Sequence, residues 1–210
     1  MTNHQMVWPA DFLNWARDHK TLNIAFTGHR PDKLGGYGSI RNIYLNNTMR
    51  LLDLIGIERI RWAYDGMAQG YDWEALKACF QLGIAVVACK PSDHQHIIWP
   101  ERAQQLYRSL LNQLKASGGR IVDIEHCILK PTVGESAYWS QKSGLIEAYH
   151  KSKSSKHQAA LLCELRNQYM VDSADLVIAC WNGSPGGTAN CIKYAEKLGI
   201  PWINIMELSK

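Results

Sequence analysis

Apolar residues along this chain gather into short continuous runs, each followed by a small-residue turn and then by a segment with apolar positions at helical spacing. Leu22 to Phe26 is the first such run; it opens into Thr27-Gly28-His29-Arg30-Pro31, and Ile40, Ile43, Tyr44, Leu51 and Ile55 then recur at the helical interval. Ile60 to Tyr64 predicts a second strand, ending in Asp65-Gly66-Met67-Ala68-Gln69-Gly70 before a helix marked by Trp73, Leu76 and Phe80. Ile84 to Cys89, closed by Pro91, predicts a third strand, and Ile121 to Ile124 a fourth. Between them Ala103, Leu106, Tyr107, Leu110, Leu111 and Leu114 trace an amphipathic helix that stops at Gly118-Gly119. Leu161, Leu165 and Tyr169 predict another helix. The apolar run from Asp175 to Trp181 then empties into Asn182-Gly183-Ser184-Pro185-Gly186-Gly187, a helix runs from Thr188 to Leu198, and Pro201 to Ile205 forms a last strand.

Strands that alternate with helices need crossover connections, which predicts an α/β fold with a mostly parallel sheet flanked by helices. In such sheets ligands sit beyond the carboxyl ends of the strands, where three of these loops converge. The 1–20 stretch, with Trp8, Phe12 and Trp15, reads as an N-terminal extension helix packed outside the core or at a dimer contact. From 131 to 157 the pattern weakens around Gly134, Gly144 and a Lys/Ser/His-rich run, predicting an insertion or mobile lid loop. The 210 residues are otherwise read as one domain.

Composition narrows the class. The apolar share is 46% and the charged share 20%, and no run of about 18 apolar residues is present to cross a bilayer. Met1 to Lys20 lacks the basic-then-apolar order of a secretory signal, so a cytoplasmic location is expected. Six cysteines without a C-x-x-C pair fit buried free thiols in a reducing compartment. A net charge of +4 favours anions in general and falls short of the basic stripe of a dedicated nucleic-acid binder.

The chemistry sits in the loops. Gly186, Gly187 and Thr188 put unobstructed backbone N–H groups at a helix N-terminus, where the dipole adds positive character and suits a phosphate. Arg30 can form a two-pronged contact with phosphate or carboxylate, and His29 beside it can hydrogen-bond a ligand or act as an acid. Gly66, Met67, Ala68 and Gly70 leave room for a ligand to approach the backbone, and Asp72 can favour its helix N-terminus or take a ribose hydroxyl. Trp181, next to the glycine loop, is the ring placed to stack on a base, whereas Trp62, Trp99, Trp139 and Trp202 read as core. His94 and His96 with Asp93 come nearest to a metal cluster, but two histidines at that loop spacing do not make a ligand set, so no metal and no cofactor is expected. Lys151 to Lys156 reads as a solvated lid over the site.

Taken together, four segments resemble the SLOG superfamily, which includes the DprA/Smf proteins, the lonely-guy cytokinin-activating enzymes and the YpsA-like proteins, with the YpsA-like branch the nearest. They are Phe26-Thr27-Gly28-His29-Arg30-Pro31, Gly66-Met67-Ala68-Gln69-Gly70-Tyr71-Asp72, Arg166-Asn167-Gln168-Tyr169-Met170-Val171-Asp172, and Trp181-Asn182-Gly183 with Gly186-Gly187-Thr188. The resemblance implies a Rossmann-like fold and a homo-oligomer that binds a nucleotide or nucleotide-derived small molecule. It also implies ligand-binding roles for Thr27, Asn182 and Gly183, and it adds Arg166 and Asn167 to the candidates.

Turnover does not follow from it. Lonely-guy enzymes carry P-G-G-x-G-T-x-x-E and related deoxyribosyltransferases G-T-x-x-E, with the glutamate in the cleavage of base from ribose; here that place falls to Lys193 in one register and Cys191 in the other. An oxocarbenium-like species needs a carboxylate nearby. Asp72 and Glu74, at the start of the second loop's helix, are the substitutes at hand, with Glu135 a third. A sensing or sequestering module is thus set against an N-glycoside hydrolase or transferase acting on nucleoside monophosphates. A DprA-like binder of single-stranded nucleic acid is the third reading, opposed by the modest charge.

Overall fold

The computed structural model describes residues 10–36 and 40–208. Among them six strands form one sheet: β1 (Leu22–Gly28), β2 (Ile60–Asp65), β3 (Val86–Lys90), β4 (Arg120–Asp123), β5 (Leu176–Cys180) and β6 (Trp202–Asn204), in the order β4-β3-β2-β1-β5-β6. Every neighbouring pair is parallel. The chain therefore winds outward from β1 to β4, then returns to the far side of β1 for β5 and β6. The strand order reverses between β1 and β5, where Gly28 lies opposite Cys180 and the two following loops leave side by side.

Because both faces of a parallel sheet are covered, β1 and β5 are apolar along nearly their whole length rather than alternating, whereas β2 carries the exposed Arg61 and the edge strand β4 is only partly buried. All five residues of β5 and of β3 are buried. Ile24, Phe26, Leu176, Ile178 and Cys180 face one core, packed with α1 (Ala10–Arg17), α2 (Ile40–Ile55), α3 (Tyr71–Leu82) and α4 (Glu101–Ala116). Ala25, Val87, Val177, Ala179 and Trp202 face the other, under α8 (Ser155–Asp172) and α9 (Gly187–Leu198). The expected α/β architecture with a mostly parallel sheet flanked by helices is what forms.

The N-terminal extension packs against the core as a helix through Phe12 and Ala16, and Arg59 donates to the Ala16 and His19 carbonyls; Trp8 lies outside the described residues. The 131–157 stretch departs from the expected loop. After α5 (Ile124–Leu129) it forms α6 (Val133–Ser140) and α7 (Ser143–Lys151), and α8 begins at Ser155. Glu135 closes a capping box with Thr132 at the start of α6, a structural use that accounts for this acid. Trp139 and Tyr149 build a third cluster with Ile124, Ile128, Leu162 and Leu165, and the Trp139 ring stacks on Tyr169 at 5.8 Å.

Asp172, at the end of α8, locks this helical cap down. Its carboxylate accepts from Tyr138 Oη at 2.8 Å and from Tyr194 Oη at 2.9 Å, and lies 2.7 Å from Lys142 Nζ. Burial works against the Lys142 ammonium, but its hydrogen bonds to Asp172 and Tyr194 outweigh that and raise its pKa. Replacing Asp172 by Ala strands three donors at a half-buried junction. Asp172→Ala is expected to lower unfolding stability by about 2 kcal/mol in urea titrations, with faster proteolytic cleavage between 131 and 157 than in the parent. Equal cleavage would show that the apolar cluster alone holds the cap.

Candidate functional site

Two loops meet over the carboxyl ends of β1 and β5. The β1 loop is held by the His29 N–H, which donates to the Cys180 carbonyl at 3.1 Å, and by the His29 carbonyl, which accepts from Tyr71 N–H at 3.2 Å. Gly28 lacks a side chain for a packing reason, since a Cβ there would come within 2.7 Å of Tyr71 Cγ. The His29 ring is 4% exposed, and its Nε2 lies 2.6 Å from Asn182 Oδ1. That oxygen also accepts the Ser184 N–H at 3.0 Å, so it is an acceptor and Nε2 carries the proton. Burial lowers the His29 pKa despite this bond, leaving a neutral ring that ties the β1 loop to the β5 loop.

The glycine loop is braced from three sides. Lys33 donates to Ser184 Oγ at 2.8 Å and to the Pro185 carbonyl at 2.9 Å, and Asn167 Nδ2 reaches the Gly187 carbonyl at 3.4 Å from α8. Trp181 turns its indole N–H onto the Ser184 carbonyl at 2.8 Å and sets its ring edge-on to Trp202. This corrects the stacking role suggested by its position: its polar edge is committed to the loop, and the ring lines no cavity described below. Asn204 fixes where the loop starts, accepting from Trp181 N–H and donating to the Trp181 carbonyl. Gly186 adopts φ +145°, a conformation that side-chain-bearing residues rarely take, and α9 starts behind it without a side-chain cap. No side chain caps its first N–H groups.

The second loop is organised by buried charge. Asp65 at the end of β2 is fully buried and accepts the Met67 N–H at 2.7 Å; Asp72, 4% exposed, accepts the Ala68 N–H at 3.2 Å. From α8, Arg166 donates to the Gly66 carbonyl at 2.6 Å. A Cβ on Gly66 would strike the Arg166 guanidinium and come within 2.9 Å of Asp72 Oδ2, so the absence of a side chain is what admits the arginine. Met67 takes φ +57° and is held there by its own N–H bond and by Trp73 and Gln95, which donate to its carbonyl at 3.2 and 2.8 Å. Burial and the neighbouring Asp72 raise the Asp65 pKa well above the usual carboxylate range. Burial also raises Asp72, against the pull of Arg166, the Ala68 N–H and Arg30.

These loops enclose a chamber of about 300 Å³. Of the residues singled out in the sequence, Thr27, Gly28, His29, Arg30, Ala68, Asp72, Arg166, Asn167, Gly186, Gly187 and Thr188 line it. Gly66, Met67, Gly70, Asn182 and Gly183 do not; Gly66, Met67 and Asn182 hold the lining residues from behind, Gly70 packs on the His29 carbonyl, and Gly183 turns the chain with φ +87°. Glu74 is buried elsewhere, 3.1 Å from Lys77, and lines neither the chamber nor the cavity beside it. Cys191 is buried under the chamber with its thiol pushed up to about 12, by burial above all, and Lys193 is exposed on α9. Neither register of the glycine loop brings a carboxylate into the chamber. Its acids are Asp72 and the exposed Asp32.

Asp65, Lys33 and Cys163 are the residues that sequence reasoning missed. An aspartate closing an apolar strand just before a glycine was a visible signal for the first; Lys33 and Cys163 gave none. A larger cavity of about 620 Å³ adjoins the chamber and shares Arg30, Ala68, Cys163 and Arg166 with it. Among the described residues no group of three or more His, Cys, Asp or Glu side chains is arranged to hold a metal ion, and no helix is long and apolar enough to cross a membrane.

No family model matches the chain. It is 47% identical over 32 residues to YoqJ, an uncharacterized SPbeta prophage-derived protein of Bacillus subtilis strain 168, a stretch that covers 15% of this chain and 19% of that one. Its fold resembles DNA processing protein A (DprA) from Streptococcus pneumoniae, with TM-score 0.51 and 14% identity over 87% of this chain and 50% of that chain. It likewise resembles DprA from Helicobacter pylori, a protein described by its single-stranded DNA binding mode, with TM-score 0.50 and 14% identity over 90% of this chain and 67% of that chain. The chain thus spans about a fifth of YoqJ and half of the pneumococcal protein. The fold is that of the DprA proteins; at such identity the likeness is one of fold alone.

The buried acids make a pH-dependent contribution whose sign is fixed. Carboxyls with pKa raised by folding contribute stability that is fully present below the unfolded aspartate value of about 3.9 and is lost as pH rises through their folded values. Asp65→Asn removes the more strongly shifted of the two. Thermal unfolding from pH 4 to pH 8 is expected to show the variant gaining on the parent as pH rises. Parallel curves would mean that Asp65 titrates normally.

Proposed function

We propose that this chain binds a nucleotide or nucleotide-derived small molecule as a sensing or sequestering module, and that it belongs to the SLOG superfamily on its YpsA-like side. One observation carries the reading. The open N-terminus of α9, Arg30 and Arg166 converge on a chamber of about 300 Å³ at the point where the strand order reverses, the place where sheets of this type take their ligands. Phosphate meets the N–H groups of Gly187 and Thr188, and Arg30, exposed at the rim, closes on it as a fork. Asp72, whose pKa is raised by burial against the pull of Arg166, is suited to a sugar hydroxyl, with Ala68 leaving space beside it.

Retention of the ligand intact is favoured over cleavage. Cys191 and Lys193 replace the carboxylate that glycoside-cleaving relatives place on this helix, and Glu74 is turned away on Lys77. Asp72 is the remaining candidate for such chemistry. As the uncharged acid it would not stabilise an oxocarbenium ion, and as the carboxylate its charge is already set against Arg166. A second reading, single-stranded nucleic acid, draws on the H. pylori DprA likeness. The same phosphate corner would then take one phosphate of a strand, and affinity would fall steeply with salt.

Thermal-shift screening of nucleoside mono-, di- and triphosphates, ADP-ribose, cyclic nucleotides and a short oligonucleotide tests both. At least one small nucleotide is expected to raise Tm and to be recovered unchanged by chromatography after long incubation. Stabilisation by the oligonucleotide alone would favour the second reading, and free base among the products would make the chain a hydrolase. Arg30→Ala is expected to weaken the best ligand 10- to 100-fold, the worth of about 1.5–3 kcal/mol for a charged hydrogen bond, without lowering Tm of the free protein.

Occupancy has its own reporter. Cys163 is partly exposed and lines both cavities, whereas Cys79, Cys89, Cys180 and Cys191 are buried. Cys127 is also partly exposed, but burial, with Glu135 beside it, pushes its thiol up to about 11. Iodoacetamide is therefore expected to modify Cys163 first, as read by peptide mass spectrometry, and the ligand to slow that reaction at least fivefold with no effect at Cys127. Equal labelling at Cys163 with and without ligand would place the ligand elsewhere.

A further inference from the structure

The cavity of about 620 Å³ beside the chamber differs from it in kind. One wall is the turn after β3, where Ile97 is 56% exposed and Ile98 90% exposed, with Pro91 and Trp99 behind them. The facing wall is the start of α8, from Ser155 to Leu162. Large apolar side chains this open to solvent are costly unless they meet something, and two in succession above a cavity make an apolar wall without a partner among the described residues. Around it stand hydrogen-bonding groups suited to a ring's edge: Gln95, Gln158, Ser155 and Lys156. Gln95 spends its amide N–H on the Gly66 and Met67 carbonyls, leaving Oε1 buried without a partner.

The chamber itself holds the anion-binding groups, and its lining offers a ring only one aromatic side chain besides His29, the fully buried Phe26. Arg30 and Arg166 stand at the boundary of the two cavities, with the Arg30 guanidinium 6.0 Å from the Trp99 ring centre. A ligand anchored by its phosphate on α9 and passing these arginines would reach the apolar wall. We infer that the second cavity is the recognition site for the heteroaromatic base of the same ligand, held flat between Ile97-Ile98 and the first turns of α8, while phosphate and sugar occupy the chamber. This rests on the phosphate reading above and extends it. It gives the helical 131–157 segment a role as well, since α7 contributes Tyr149, whose hydroxyl donates to Glu125 at 2.6 Å, to this wall.

The test compares a nucleotide with the same anion lacking its base. Affinities of the four common ribonucleoside monophosphates and of ribose 5-phosphate are measured by calorimetry on the parent, on Ile98→Ser and on Ala159→Trp. The first variant removes apolar wall and the second fills the cavity from the opposite side; both positions are exposed, so neither threatens the fold. The parent is expected to bind at least one nucleotide ten or more times tighter than ribose 5-phosphate, and each variant to reduce that preference to within about threefold of equality. A preference that survives in both variants overturns the base site while leaving the phosphate site standing. A parent that binds ribose 5-phosphate and the nucleotides equally also overturns it. A parent that binds none of the five and none of the nucleotides in the thermal-shift screen overturns the phosphate reading and this inference together.

Discussion

Arg166 reaching the Gly66 carbonyl is the contact on which the rest of the site depends. It joins α8 to the loop after β2, across the helix packing that separates them in sequence by 100 residues. Such a guanidinium cannot shed its charge, so the folded state must place acceptors and acids around it. Asp72 lies on the same side, Asp65 is within its influence, and Gly66 is side-chain-free because a Cβ would occupy the arginine's place. Two buried acids beside one partly buried base are reluctant to ionise together. That reluctance makes Asp72 a hydrogen-bonding group at the floor of the chamber more readily than a reactive one.

The remaining architecture positions anion-binding groups against this floor. Reversal of strand order brings the β1 and β5 loops side by side; the neutral His29 ring, Lys33 and Asn167 spend their hydrogen bonds on fixing one loop to another or to α8, and Trp181 braces the β5 loop from within. What is left over faces the cavity: the first N–H groups of α9 and the Arg30 side chain. The site is therefore rigid where it would hold phosphate and more open where the neighbouring cavity begins. Preorganised donors favour tight binding of a ground-state ligand, and the first turns of α9 carry no carboxylate, its Glu196 lying further along and bonded to Trp202.

The strands and the loops between them were legible in the amino-acid sequence because buried parallel strands are uninterrupted apolar runs and because Gly28, Gly66 and Gly186 punctuate their ends. Most of the residues that line the chamber were legible for the same reason. The 131–157 segment was not, since α6 and α7 are 8 and 9 residues long, too short for periodicity to declare itself, and Gly134 and Gly144 sit inside them. Thr132 with Glu135 was the readable sign of a helix start. Trp181 and Glu74 were assigned to the site by proximity in sequence, which does not say where a side chain points; the indole N–H found the Ser184 carbonyl and the carboxylate found Lys77. Asp65, visible as an aspartate closing an apolar strand, shows its burial only once Arg166, from another part of the chain, is brought near it.

The claim that matters most is that phosphate lies on the N-terminus of α9 between the β1 and β5 loops, and backbone amide NMR reads those N–H groups directly. In a ¹⁵N-labelled sample titrated with nucleoside monophosphates and with inorganic phosphate, the Gly187, Thr188, His29 and Arg30 amides are expected to move saturably, with the largest changes at Gly187 and Thr188. Saturable shifts confined to other parts of the chain, or none with any of these anions, would contradict it.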